Sequence, residues 1–183
     1  MKKKLQDMSL EELWKLFPIR LTAHRESWTD WYNEEVEKLK NKLPNDCEYY
    51  HIGSTAINGI MAKDIVDILV CIPKKYNIYD CANAINIEGY NIMNSTAERI
   101  SLNYGYTEDG YAEKVFHIHM QYSGIKDEVY FRDYLNCFPE IAKEYEQLKL
   151  NLCKQYEFDR DSYTNAKSDF VKKYTDIAKL YFK

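Results

Sequence analysis

Apolar residues recur every three to four positions at Trp28, Trp31, Tyr32, Val36 and Leu39, the period of a helix that buries one face. The pattern predicts an amphipathic helix ending before Pro44, since the residue ahead of a proline is pushed out of helical geometry. Upstream, Ser9 and Glu12 have the spacing of a capping box, which predicts a short helix running to about Phe17 and stopped by Pro18. The period then changes. Residues 48–52 and 65–72 read as strands, the second with β-branched side chains on both faces and therefore predicted to lie inside its sheet. Residues 53–63 form a small-residue turn and loop between them. Residues 79–87 read as a helix ending at Gly89. Strands follow over 90–93, 100–104 and 114–121, joined by turns at Gly105 and Asp109-Gly110. From Tyr130 onward the pattern is helical, with Pro139 in the first turn of one long helix and 162–181 forming another.

These elements predict an α/β (α+β) fold in which a mixed sheet lies between helices at both ends of the chain. With 183 residues, one domain is expected. Its parts are N-terminal helices over 1–45, a sheet core over 46–125 and C-terminal helices over 126–183.

Composition narrows the function. The chain has 25 Lys+Arg against 29 Asp+Glu, a net charge of -4, which gives no field to attract a polyanion without specificity. Its 17 Tyr are scattered rather than interleaved with Lys and Arg, so they read as packing residues with one wet end. No nucleic-acid partner is expected. The longest nearly apolar stretch, 65–72, is interrupted by Asp67 and falls far short of the ~20 residues that span a bilayer. No membrane contact is expected, and the acidic segment at Glu11 and Glu12, where a signal peptide carries its apolar core, predicts a cytoplasmic protein. Five widely spaced cysteines without a C-x-x-C pair read as reduced thiols.

The chemistry concentrates in the segment from His51 to Val70. A strand ending in Gly53-Ser54 can offer backbone N–H groups and a hydroxyl to phosphate oxygens. Asp67 stands in an apolar strand, where a carboxylate is costly unless it is paired, hydrogen-bonded or bound to a metal. The structural alternative is an ordinary turn followed by a carboxylate that only accepts hydrogen bonds. Further on, His117 and His119 are two residues apart on a strand and so share a face. They can approach one ligand or metal together, or simply hydrogen-bond a carboxylate and an anion.

Gly53-Ser54, a spacer, then Asp67-Ile68-Leu69-Val70 resembles the signature of the nucleotidyltransferase superfamily, with Leu69 where that signature has its second carboxylate. Several segments together, His51-Ile52-Gly53-Ser54-Thr55-Ala56, Ala62-Lys63 with Asp67-Ile68, Phe116-His117-Ile118-His119, Phe131-Arg132-Asp133-Tyr134-Leu135, Tyr145 with Leu148-Lys149, and Tyr163 with Ala166-Lys167 and Phe170, resemble the GrpB family. The resemblance covers nearly the whole chain after about residue 18. One departure is Asp64, where the family usually has proline after Ala-Lys. Strand alternation points Asp64 and Asp67 to opposite faces, so Asp64 is not expected to supply the missing carboxylate.

The resemblance implies a nucleotidyltransferase-like sheet and a pocket for a nucleotide or another phosphorylated small molecule. In that reading His51, Gly53, Ser54, Lys63, Arg132 and Lys167 bind substrate, and Asp67, His117 and His119 act on the reacting group or hold a divalent metal ion. Mg²⁺, Mn²⁺ and Zn²⁺ are the candidates, and two imidazoles favour the transition metals over Mg²⁺. Nucleotidyl transfer is one expectation. A non-catalytic phosphate-binding module, motivated by Leu69, and a metal-dependent hydrolase using the His and Asp cluster are the others.

Overall fold

The structure is a computed structural model that describes residues 3–86 and 89–183. Ser9 caps the first helix, α1 (Leu10–Leu16), with the capping box read from the sequence. The amphipathic helix follows as α2 (Ser27–Lys40). The sheet then begins with β1 (Glu48–Ile52), a 3-10 turn over Ser54–Ala56, and β2 (Val66–Ile72). After α3 (Ile78–Asn86) come β3 (Asn91–Ser95), β4 (Arg99–Thr107) and β5 (Gly110–Tyr122). The chain finishes in helices α4 (Asp127–Cys137), α5 (Pro139–Gln155), α6 (Arg160–Asn165) and α7 (Ser168–Tyr181).

The five strands form one mixed sheet in the order β1-β2-β5-β4-β3. β2 pairs antiparallel with β1 and parallel with β5, which matches its expected interior position. Alternation assigns the two faces. On one, Val66, Ile68, Val70 and Ile72 of β2 join Phe116, Ile118 and Met120 of β5, and pack with Val36 and Leu39 of α2 and Ala82 and Ile85 of α3. Each such side chain contributes roughly 1.5–3 kcal/mol when fully buried, so this face carries the main core. The opposite face holds Asp67, Leu69, His117 and His119. Val129 of α4 packs there against Ile52, Leu69 and Cys71, while α4, α5 and α7 share a second core around Ile57, Ile60, Phe131, Tyr145 and Tyr174.

Three features differ from expectation. Residues 162–181 are two helices rather than one: the Ala166 N–H donates to the Ser162 carbonyl, the Lys167 N–H donates three residues back to the Thr164 carbonyl and closes α6, and Lys167 stands at the junction. The helical pattern expected from Tyr130 onward begins earlier, at Asp127, so Arg132 lies inside α4. Gly105 is no turn but lies at a register shift within β4; its φ is 86°, and a Cβ there would collide with the Lys114 carbonyl. The hairpin of β4 and β5 therefore extends to the Asp109-Gly110 turn. Ile87, expected as the end of α3, lies outside the described residues, as do Met1 and Lys2. Among the described residues no helix is long and apolar enough to cross a membrane.

Candidate functional site

In the parallel pairing of β2 and β5, Asp67 is registered with His117 and Leu69 with His119. Paired residues share a face, so the carboxylate and both imidazoles converge. Asp67 Oδ1 lies 3.2 Å from His117 Nδ1 and 3.2 Å from His119 Nε2. Burial raises the Asp67 pKa, but the hydrogen bonds from His117 and His119 outweigh it and hold the carboxyl well below the usual carboxylate range. Burial lowers His117; Asp67 opposes that fall, and Arg160 and Lys63 add to it. Gly53 has φ 72°, and a Cβ there would collide with the Asp67 carboxylate. Glycine is thus required where the backbone passes this close.

Beside this cluster opens a cleft of about 530 Å³, walled by the Gly53-Ser54 turn, Lys63, α5 and the α6–α7 junction. Its cations are Lys63, Lys149, Arg160 and Lys167, against the carboxylates Asp67 and Asp161. Among the described residues, Lys63, Lys149 and Lys167 form no ion pair. Burial first, then neighbouring cations, lowers Lys63 to about 7 and Lys149 to about 7, and burial lowers Lys167 to about 8. Both Lys63 and Lys167 place their ammonium groups over the Tyr163 ring, at 5.7 and 4.3 Å from its centroid. Lys149 donates to the Met61 carbonyl, and Tyr145 and Ser54 line the same cleft. Buried lysines without carboxylate partners are costly, and an anion in the cleft would offset that cost.

Of the residues expected to bind substrate, Gly53, Ser54, Lys63 and Lys167 line this cleft together with Asp67 and His117. His119 stands behind Asp67, with Nδ1 3.4 Å from the Ser101 hydroxyl. Two others are placed elsewhere. His51 pairs with Ile68, not Asp67, so alternation turns it to the apolar face. There it stacks on Tyr32 at 5.0 Å and bonds Thr55 at 3.0 Å, and burial lowers it to about 4. Arg132 donates from Nη1 to the His51 carbonyl at 2.6 Å and pairs with Asp133. Both of its ends are occupied by structural partners. Asp64, as expected, does not join Asp67: it pairs with Arg25 at 2.8 Å and accepts from the Trp28 indole at 2.6 Å.

The structure adds Arg160, Tyr106, Tyr145 and Lys149 to the site. Tyr145 and Lys149 carried a signal, since they fall on the buried stripe of α5 with Ala142 and Leu152. A lysine on such a stripe needs a reason to be there. Arg160 carried none, because Asp159-Arg160-Asp161-Ser162 reads as a solvated helix start, with Asp159 capping Ser162.

Asp67, His117 and His119 form a candidate donor set for a divalent ion. The ligand atoms of Asp67, His117 and His119 lie within 4.8 Å of one another. The two 3.2 Å separations approach the edge of about 3.3 Å expected for a tetrahedron with bonds of about 2.0–2.1 Å. Spacing alone fits an ion. The far side of His117 does not, because its Nε2 meets the Arg160 guanidinium at 3.2 Å, where a ligating histidine normally finds a hydrogen-bond acceptor.

The sheet order, the Gly-Ser turn and the carboxylate on the neighbouring strand define a nucleotidyltransferase-like α+β fold. The Cid1 poly(U) polymerase, in a structure with Mg 3'-dATP bound, superimposes with a TM-score of 0.52 over 86% of this chain and 51% of its own, at 10% identity, a likeness of fold alone. The family model described as GrpB protein matches residues 18–176, and the chain belongs to the GrpB family. It is 32% identical over 158 residues to the glutamate-rich protein GrpB of Alkalihalophilus pseudofirmus, covering 82% of this chain and 90% of that one. The conserved protein GrpB of Enterococcus faecalis matches with a TM-score of 0.77 and 27% identity, over 90% of this chain and 100% of that one. With the YqkA protein of Bacillus subtilis it shares 30% identity over 182 residues, 96% of this chain; the chain spans about half, 52%, of that relative's length.

Proposed function

We propose that this GrpB-family chain binds a nucleotide or another phosphorylated small molecule in the cleft beside Asp67. The observation that carries the reading is the convergence of Lys63, Lys149, Arg160 and Lys167 on one cleft in which Lys63, Lys149 and Lys167 form no ion pair among the described residues. Lysine is a point charge for phosphate and arginine a planar fork, so the set suits several phosphate oxygens at once. Ser54 adds a hydroxyl at the turn.

Binding is what this geometry supports best. Two-metal transfer needs several oxygen ligands, whereas Leu69 is fully buried and Asp64 is engaged by Arg25 and Trp28. The test is a thermal-shift screen of the purified chain against the four ribonucleoside triphosphates and pyrophosphate, each with EDTA, Mg²⁺, Mn²⁺ or Zn²⁺. A ligand at 100 times its Kd adds about 2.7 kcal/mol to native stability. No shift with any phosphate compound would sink the proposal. Magnesium-dependent pyrophosphate release from a nucleoside triphosphate would support nucleotidyl transfer instead, and turnover that requires a transition metal would support a hydrolase built on the His and Asp cluster.

A further inference from the structure

The hydrogen bonds around His117 run in one direction. Its Nε2 lies 3.2 Å from Arg160 Nη2 and 2.8 Å from the Tyr106 hydroxyl, while its Nδ1 lies 3.2 Å from Asp67 Oδ1. A guanidinium only donates, and it keeps its charge in a protein. The ring nitrogen facing it must therefore present a lone pair, which leaves the ring proton on Nδ1 to be donated to Asp67. Tyr106 fits the same direction. The Arg160 guanidinium lies over its ring at 5.6 Å, and its hydroxyl, 2.8 Å from Nε2, can donate its proton there.

A histidine that ligates a metal needs the opposite arrangement. Its lone pair points at the ion, and its other nitrogen donates outward to an acceptor. Ligation of an ion beside Asp67 through His117 Nδ1 would turn an Nε2 proton toward Arg160, donor against donor, and would require the Tyr106 hydroxyl to reverse and accept that proton beside the guanidinium. His119 meets no such conflict, since the Ser101 hydroxyl at its Nδ1 can accept as well as donate. Charge points the same way. Phosphoryl-transfer sites that rely on metal surround it with carboxylates, but Asp67 shares this cleft with four cationic side chains.

We infer that Arg160 holds His117 as a hydrogen-bond donor to Asp67, keeping it out of metal ligation, and that the cleft takes phosphate on its own cations with no divalent ion required. Arg160 is a positioning residue toward His117 and a direct contact toward the anion. The ligand half of this inference rests on the phosphate-binding reading above; the His117 half does not.

Two experiments separate the halves. Calorimetric titration with pyrophosphate in EDTA, and then in Mg²⁺, Mn²⁺ or Zn²⁺, is expected to give binding that persists in EDTA. Binding that disappears in EDTA and returns with metal overturns the inference. Absence of binding in every buffer overturns its ligand half together with the proposed function, and leaves the His117 half to the second experiment. There, Co²⁺ is titrated into the wild-type chain and into Arg160→Met. The variant is expected to gain at least about tenfold in affinity, the size of a typical effect from a partner of a metal ligand, and to lose that gain when His117→Ala is added. Equal cobalt affinity in both chains, dependent on His117, overturns the assignment. Long-range ¹H–¹⁵N NMR of the wild-type chain reads the tautomer directly: a proton on Nδ1 of His117 is expected, and a proton on Nε2 overturns the inference even if the variant does not fold.

Discussion

The two faces of the sheet are built from alternate residues of the same strands, yet they hold opposite chemistry. Toward α2 and α3, Ile68, Phe116, Ile118 and Met120 are at most 1% exposed and pack against one another. One residue along the same strands, Asp67 and His117 face a cleft lined with cations, with His119 bonded to Asp67 behind them. The contrast teaches where stability and binding are located. An apolar face that packs at interior density can support a second face whose charged groups oppose folding. The largest break of the first face is Phe116→Ala, expected to cost about 3–5 kcal/mol in urea denaturation while leaving the Asp67 cluster in place. A loss below about 1 kcal/mol would mean that the core lies elsewhere.

A histidine on the apolar face sharpens the comparison through pH. His51 is lowered to about 4 by burial first, against an ordinary value of about 6.5 in the unfolded chain. Between these values the unfolded chain binds more protons than the folded one, so stability falls as pH drops from about 6.5 to about 4. The full effect is on the order of 3 kcal/mol at about 1.4 kcal/mol per unit. Asp67 stays ionised in the folded chain throughout this window, and its own contribution to the slope begins only near the acid end, where the unfolded carboxyl at about 3.9 starts to take up protons. Denaturation midpoints for wild type and His51→Gln across that range check this; parallel slopes would show that His51 is not the source.

Much of this was legible in the sequence, and the misses have a common cause. Strand β2 announced itself by β-branched residues on both faces, and the two-residue spacing of His117 and His119 guaranteed a shared face. Whether His51 or Ile52 joined Asp67 depended on the register of β1 against β2, and a shift of one residue reverses the answer. Arg160 reaches a histidine 43 positions away, a contact that no local pattern encodes. The α6–α7 junction falls at Ala166 and Lys167, residues that favour helix. The break follows instead from tertiary packing, which seats Lys167 over Tyr163 beside the cleft.

Gly53 joins the two faces, since it follows the end of β1 and touches the carboxylate. Gly53→Ala adds a Cβ at positive φ that collides with the Asp67 side chain. Strain of this kind costs about 1–3 kcal/mol, and relief requires Asp67 to move away from His117 and His119. Thermal denaturation is expected to show that loss, together with a changed His117 signal in histidine NMR. An unchanged spectrum would mean that the turn and the carboxylate are independent.

The smallest expected effect has the opposite sign, and for that reason it tests the comparison most directly. Lys149 is 1% exposed and donates to the Met61 carbonyl without an ion pair. Its folded value of about 7 lies below its ordinary value of about 10.4 in the unfolded chain. From about pH 7 to 10 the unfolded chain binds the extra proton, so stability rises with pH, and below pH 7 the cost of the buried charge is fully present. Lys149→Met keeps the length and apolar bulk of the side chain while removing that charge. Replacing a buried charge with a well-packed apolar group is often stabilising, here on the order of 1 kcal/mol after the lost hydrogen bond to Met61 is set against it. The same variant is expected to weaken pyrophosphate binding. A phosphate site predicts both outcomes at once, greater stability and lower affinity. A variant that is less stable with unchanged affinity would return Lys149 to a purely structural role and leave the cleft without its deepest cation.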